Sequence, residues 1–109
     1  DIIHNAIKYT KSGGSVDIST RLEAGKAIIR IRDTGIGIPE NEKSRVFTKF
    51  FRAKNAKDLY KNGSGLGMYI SKSIITRHNG SITLESKEGE GTVVEIFLPL
   101  LQSAPRENK

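Results

Sequence analysis

Lys26-Ala27-Ile28-Ile29-Arg30-Ile31-Arg32-Asp33 runs straight into Thr34-Gly35-Ile36-Gly37-Ile38-Pro39. The first part is a β-strand with Ala27, Ile29 and Ile31 on one face. Asp33 keeps that phase, so a carboxylate points where the core residues point, at the strand's end. Burying it without a partner costs energy. Two partners suffice: the backbone of the turn that follows, or an amino group on a ligand such as adenine. The next residues are a glycine-rich loop, Thr34 to Ile38. Pro39 then stands where a helix can start, with Glu40 and Glu42 in its first turn.

Upstream, Val16, Ile18, Thr20 and Leu22 alternate with polar residues and mark a strand. Ala24-Gly25-Lys26 turns it into the strand above. Before it, Asp1 to Thr10 has helical periodicity, with Ile2, Ile3, Ala6, Ile7 and Thr10 on one arc. Asn5, Lys8 and Tyr9 share the opposite arc. That arc is either a solvated helix face or a ligand face, where an amide oxygen can meet Mg²⁺, an ammonium a phosphate and a phenol ring a base. The pattern has no start signal, so the natural chain is expected to continue upstream.

Downstream, Val46, Phe47, Phe50 and Phe51 cluster at helical spacing, and Lys54 to Asn62 reads as a polar, mostly basic loop. Gly63-Ser64-Gly65-Leu66-Gly67 is a second glycine loop. It opens a helix with Leu66, Ile70 and Ile74 in one stripe, Arg77 and His78 in its last turn and Gly80 as its cap. Ile82 and Leu84 belong to a short strand. After a turn at Glu88 to Gly91, Val94, Ile96 and Leu98 share a last strand with Thr92 in phase, so Thr92 also points inward. Pro99 ends that strand, and residues 100–109 read as a flexible tail after one domain, 1–99.

The chain has 109 residues, 36% hydrophobic and 28% charged, with a net charge of +6. One folded domain fits those numbers. The absence of cysteine excludes disulfides and thiolate metal sites. No apolar run approaches the roughly 20 residues of a membrane span, and no signal peptide is visible. A cytoplasmic location follows by default, with no direct membrane contact from this domain. The positive charge favours an anionic ligand, but the lysines are spread along the chain without interleaved aromatics, so nucleic acid is not expected.

Two glycine loops in one small domain are either turn geometry or a phosphate cradle. In a cradle, backbone N–H groups approach anions and a helix N-terminus adds to the attraction. Neither G-x-G-x-x-G after a strand nor a P-loop is present.

Together these segments resemble the catalytic ATP-binding domain of sensor histidine kinases, in the superfamily that includes gyrase, heat-shock chaperone and mismatch-repair ATPases. His4-Asn5-Ala6-Ile7-Lys8-Tyr9-Thr10 resembles the asparagine box and Asp33 to Pro39 the first glycine box. Val46 to Arg52 resembles the phenylalanine box, Gly63 to Met68 the second glycine box, and Gly89-Glu90-Gly91-Thr92 the closing motif.

The resemblance implies an α/β two-layer sandwich of the Bergerat type, with helices on one face of a mixed sheet and the first strand and the start of the first helix missing here. It implies ATP and Mg²⁺ as ligands. Asn5 would hold the metal, Lys8 would approach the phosphates, Tyr9 would line the nucleoside side and Asp33 would accept the adenine amino group. Gly35, Gly37 and Ile38 would shape the base pocket. Gly63, Ser64, Gly65, Leu66 and Gly67 would hinge the lid and cradle phosphate, Arg52 would contact phosphate or anchor the lid, and Thr92 would share the base contact. Asp1 stands where hydrolytic relatives carry the acid that activates water.

The implied partners are a histidine-bearing dimerisation domain outside this stretch and a response regulator. His4 and His78 are read as structural or solvent-facing. The competing readings are a regulatory nucleotide-binding module, a hydrolytic ATPase of the same superfamily and a serine kinase that regulates sigma factors.

Overall fold

A computed structural model of the chain describes residues 2–49, 51–59 and 67–100, with side chains of the second segment through Ala56. Four strands, β1 (Val16–Glu23), β2 (Lys26–Asp33), β3 (Ser81–Lys87) and β4 (Gly91–Pro99), form one sheet in the order β1-β2-β4-β3. All three pairings are antiparallel. The parallel strand that a mixed sheet requires is not among the described residues. Helices α1 (Ile2–Lys8), α2 (Lys54–Leu59) and α3 (Gly67–Arg77), with a 3-10 helix at Glu40–Arg45, complete the described elements.

The inward phases read for β2, β3 and β4 hold, although Ile28 on the other face of β2 is buried too, whereas β1 is exposed beyond Val16, with Ile18 at 51% and Leu22 at 74%. β1 and β2 are joined by Ala24 and Gly25, whose φ angles of 50° and 78° make the two-residue hairpin turn that suits the strands' twist. The register sets Ile18 opposite Ile31, Ile31 opposite Val94, and Val94 opposite Leu84. Ile31, Val94 and Ile96, with Leu84 packed against them, form the sheet side of the core, and Ile2 and Ala6 of α1 and Ile75 of α3 close it; Ile18 stays exposed on the edge strand. α1 lies against β2 and α3 against β3, so the structure is a two-layer α/β sandwich. Asp33 pairs with Thr92 at the end of the two central strands. That register brings the two inward polar residues together.

Several expectations need correction. In α1, Ile2 and Ala6 are buried, but Ile3 and Ile7 are exposed, so only part of the expected apolar arc meets the sheet. Asn5, Lys8 and Tyr9 are half-buried, so of the two readings of their arc the fully solvated face does not apply. In α3 the core is reached by Ile75, with Met68 packed beside it. Ile70 and Ile74 of the expected stripe are 43% and 50% exposed.

The cap of α3 is Asn79, with φ 63°, not Gly80. Gly80 N–H donates to Ile75 O at 2.9 Å and Asn79 N–H to Thr76 O at 3.0 Å, the paired bonds of a Schellman ending. The segment after Pro39 is a 3-10 helix, and Val46 to Lys49 continue as turns. Successive i to i−3 bonds hold them, and the Thr48 hydroxyl donates to Arg45 O at 2.6 Å.

The expected basic loop from Lys54 begins instead with α2. The Glu42 carboxylate accepts the Lys54 N–H at 3.2 Å and so caps the first turn from twelve residues away. The remainder of that loop, 60–62, lies outside the described residues, as do Asp1, Phe50 and the expected tail from 101 on. Leu100 is still tied back, its N–H donating to Gly25 O at 2.9 Å.

Candidate functional site

The loop after β2 is held from several sides. Ile36 N–H donates to Tyr9 O at 3.1 Å, Gly89 N–H donates to Ile36 O at 2.7 Å, and Thr34 N–H donates to Ser15 O at 3.0 Å. The two glycines are required by these close approaches. A Cβ on Gly35 would stand 2.5 Å from Tyr9 O. Gly37 has φ +69°, and a Cβ there would collide with Lys87 O in the β3–β4 turn. The loop therefore lies flush between α1 and that turn, and it forms one wall of a cavity.

The cavity has a volume of about 290 Å³, near the lower bound for small-molecule sites. Ile2, Ala6, Ile31, Val46, Leu84 and Val94 give it an apolar interior. Of the residues singled out in sequence, Asn5, Lys8, Tyr9, Asp33, Gly37, Ile38, Arg52, Gly67 and Thr92 line it. Gly35 stands behind the wall, donating its N–H to Asp33. Gly63, Ser64, Gly65 and Leu66 lie outside the described residues. Lys8 Nζ sits 5.4 Å from the centre of the Tyr9 ring, a cation–π distance.

Asp33 is the polar centre of this apolar cavity. Its Oδ1 accepts the Gly35 N–H at 2.8 Å and the Thr92 N–H at 3.2 Å. Of the two readings left open by the sequence, the turn-capping one is seen here. One oxygen caps the turn, and Oδ2 has no hydrogen-bond partner among the described residues. Burial pushes the Asp33 carboxyl above its usual range, and the two backbone N–H bonds pull it partly back.

The Thr92 hydroxyl lies 2.8 Å from Ser86 Oγ, and Ser86 donates to Gly91 O at 3.0 Å. With the Ser86 proton committed to Gly91, Thr92 supplies the proton between them. The Thr92 oxygen is then an acceptor on the cavity side. Ser86 was missed in sequence, although it follows Ile82 and Leu84 in the inward phase.

The phenylalanine cluster is tied to its surroundings by cations. Lys72 of α3 lies over the Phe47 ring at 5.2 Å and Arg45 over the Phe51 ring at 5.1 Å. Val46 is buried, and Phe51, Arg52, Ala53 and Ala56 line the cavity. His4 is exposed, and the His78 ring meets Ile74 O at 2.8 Å in its own helix, outside the cavity. No helix among the described residues is long and apolar enough to cross a membrane.

In chemical terms the arrangement suits a flat amino-bearing heterocycle carrying anions. An apolar slot ends in a fixed carboxylate acceptor, and an amide, an ammonium and a guanidinium border the same space. Comparison with known proteins agrees with this chemistry. The family model for histidine kinase-, DNA gyrase B- and HSP90-like ATPases matches residues 1–102.

The sensor histidine kinase RppB of Synechocystis is 40% identical over 100 residues, 92% of this chain and 22% of RppB. The sensor protein kinase WalK of Staphylococcus haemolyticus is 41% identical over 101 residues, 91% of this chain and 17% of WalK. Among solved structures, the mycobacterial sensor histidine kinase MprB superposes with a TM-score of 0.79 at 34% identity, covering 90% of this chain and 66% of that one. The catalytic domain of the histidine kinase ThkA gives 0.73 at 31%, covering 90% and 61%. The chain thus spans about a fifth of the curated relatives it matches. It belongs to the family of histidine kinase-, DNA gyrase B- and HSP90-like ATPases.

Proposed function

We propose that this chain is the ATP-binding catalytic domain of a two-component sensor histidine kinase. It would deliver the γ-phosphoryl group of ATP to a histidine on a separate dimerisation domain, from which a response regulator takes it. A nitrogen of that histidine forms the new P–N bond as the β,γ-bridging P–O bond breaks, its electron pair leaving on ADP.

The observation that carries the reading is Asp33. It is a carboxylate held by two backbone N–H groups at the end of an apolar cavity, with one oxygen left to accept the adenine amino group. The Thr92 oxygen beside it offers a second acceptor, directly or through water. Lys8 and Arg52 supply positive charge for the phosphates, and Tyr9 packs against the nucleoside.

Mg²⁺ fits the donor set in a limited way. No three His, Asp or Glu side chains gather among the described residues. Half-buried Asn5 lines the cavity, and its carboxamide oxygen is a hard donor that would hold the metal. Bound there, Mg²⁺ supplies charge neutralisation on the phosphates. The chain's own residues hold and orient the nucleotide and keep water from the adenine end.

The test is phosphotransfer. Incubated with Mg-ATP and a supplied histidine-bearing dimerisation domain, the protein is expected to label the histidine with an acid-labile phosphoryl group. Tight ATP binding with no transfer supports a regulatory module instead, and steady ATP hydrolysis without transfer supports a hydrolytic relative.

A further inference from the structure

Asn55, in the first turn of α2, makes a long-range side-chain tie to the cavity loop. Its Nδ2 donates to Gly37 O at 3.0 Å and more loosely to Ile36 O at 3.4 Å. Its Oδ1 is buried and has no hydrogen-bond partner among the described residues. The orientation of the amide is dictated by this surrounding, since the reverse would set its oxygen against two carbonyl oxygens. An acceptor buried without a partner destabilises a fold, so fold stability alone is a poor reason for an amide here.

The carbonyls it meets are in the strategic place. Ile36 and Gly37 belong to the loop that starts at the Asp33 turn, and Ile36 also contacts α1 through Tyr9 and the β3–β4 turn through Gly89. On either side of Asn55, Ala53 and Ala56 line the same cavity as Ile36, Gly37 and Ile38. One residue earlier, Lys54 N–H is held by Glu42. The start of α2 is thus fastened at two points to the segment between Ile36 and Glu42.

We infer that Asn55 is a positioning residue. Its Nδ2–H fastens α2 to the Ile36–Gly37 backbone and so fixes the cavity wall against which the purine packs. The inference rests on the reading that the cavity holds a purine nucleotide, but it has one consequence that needs no ligand. With the tie removed, Ile36 is less well held, and the Gly89 amide bonded to it opens more often.

Asn55→Ala and the isosteric Asn55→Asp are to be compared with the unsubstituted protein in three measurements. These are calorimetric affinity for adenosine, calorimetric affinity for Mg-ATP, and hydrogen exchange of the Gly89 amide, with circular dichroism and thermal melting as controls. Within each variant adenosine and Mg-ATP are expected to weaken together, about tenfold in Asn55→Ala, and Gly89 exchange to speed by a similar factor, with little change in the melting temperature of Asn55→Ala. Asn55→Asp, which removes the donor at constant shape, is expected to be the weaker binder.

Unchanged affinities and unchanged Gly89 exchange overturn the inference. A lower melting temperature with intact affinity overturns it in favour of a purely structural amide. Loss of ATP affinity with adenosine unaffected overturns it in favour of a phosphate-side role. If the unsubstituted protein binds neither ligand, the purine reading itself fails, and fast Gly89 exchange in the variants would then support the backbone tie on its own.

Discussion

Gly37→Ala places a methyl group into the β3–β4 turn. The new Cβ would collide with Lys87 O and stand 2.7 Å from Lys87 C and 2.9 Å from Glu88 Cα. All three are backbone atoms, so no side chain can swing away. The φ of +69° adds left-handed strain of about 1–2 kcal/mol for a residue with a Cβ. Relieving the collision means parting the loop from the turn, which breaks the 2.7 Å bond from Gly89 N–H to Ile36 O. That bond contributes about 0.5–1.5 kcal/mol.

The sum is a loss of about 1.5–3.5 kcal/mol, a fall in melting temperature on the order of 10–20 °C for a domain of this size. Gly25→Ala is the control. Gly25 has φ +78° but nothing within 4 Å of its Cβ position, so it suffers the strain without the collision. Any entropic gain from alanine in the unfolded chain is common to both and cancels. Urea unfolding of the two variants is expected to differ by about 0.5–1.5 kcal/mol, Gly37→Ala being the less stable. A difference below about 0.5 kcal/mol would show that the loop and turn are not in the close contact described, and the wall of the cavity would have to be redrawn.

Other outcomes follow from the same geometry. Ser86→Ala leaves Gly91 O and the Thr92 hydroxyl without their buried partner, and is expected to lower unfolding free energy by about 1–2 kcal/mol and to weaken nucleotide binding. Ile75→Ala should cost about 2–4 kcal/mol, whereas Ile74→Ala, at a half-exposed position, should cost under about 1 kcal/mol; equal losses would restore the stripe first read from sequence.

Asp33 titrates above 3.8 because burial disfavours its charge. Its contribution to stability is therefore full below the unfolded value and is lost as pH rises through the folded one. Carboxyl-carbon NMR is expected to show a midpoint above 3.8, and a midpoint below it would mean that the two backbone N–H bonds outweigh burial. Protonation turns an acceptor into a donor, so adenosine affinity should fall as pH is lowered through that midpoint.

The central strands were legible because period-2 alternation is unambiguous when one face is buried. Ala27-Ile29-Ile31-Asp33 and Thr92-Val94-Ile96-Leu98 each named an inward face, and the β2–β4 register seen in the structure puts Asp33 beside Thr92. The helices were less legible. In α3 the apolar residues Met68, Tyr69, Ile70, Ile74 and Ile75 run around much of the helix, so periodicity alone does not choose a face. The choice is made by the residues of β3 and β4 that α3 meets, which is tertiary information.

α1 shows the same effect, with Ala6 taking the place that size alone would give to Ile7. α2 was invisible because it is six residues long and is capped by Glu42 and tied to Gly37, both distant in sequence. Asp33 and Thr92 were singled out because polar groups in an apolar phase are conspicuous, whereas Asn5, Lys8 and Tyr9 stood out only as one shared helix face and Arg52 only through the family resemblance. Ser86 carried the same signal and was overlooked beside a two-residue apolar pattern.

The most direct test is a calorimetric titration of the protein with ATP, with and without Mg²⁺, beside Asp33→Asn. The substitution keeps an oxygen for the Gly35 and Thr92 N–H groups, and it puts an NH₂ donor where the adenine amino group needs an acceptor. A charge-assisted hydrogen bond of about 1.5–3 kcal/mol is lost, which predicts affinity weaker by roughly 10- to 100-fold, with Mg²⁺ strengthening binding to the unsubstituted protein. Equal ATP affinity in the two proteins, both folded by circular dichroism, would contradict the placement of adenine at Asp33 and with it the assignment of the cavity.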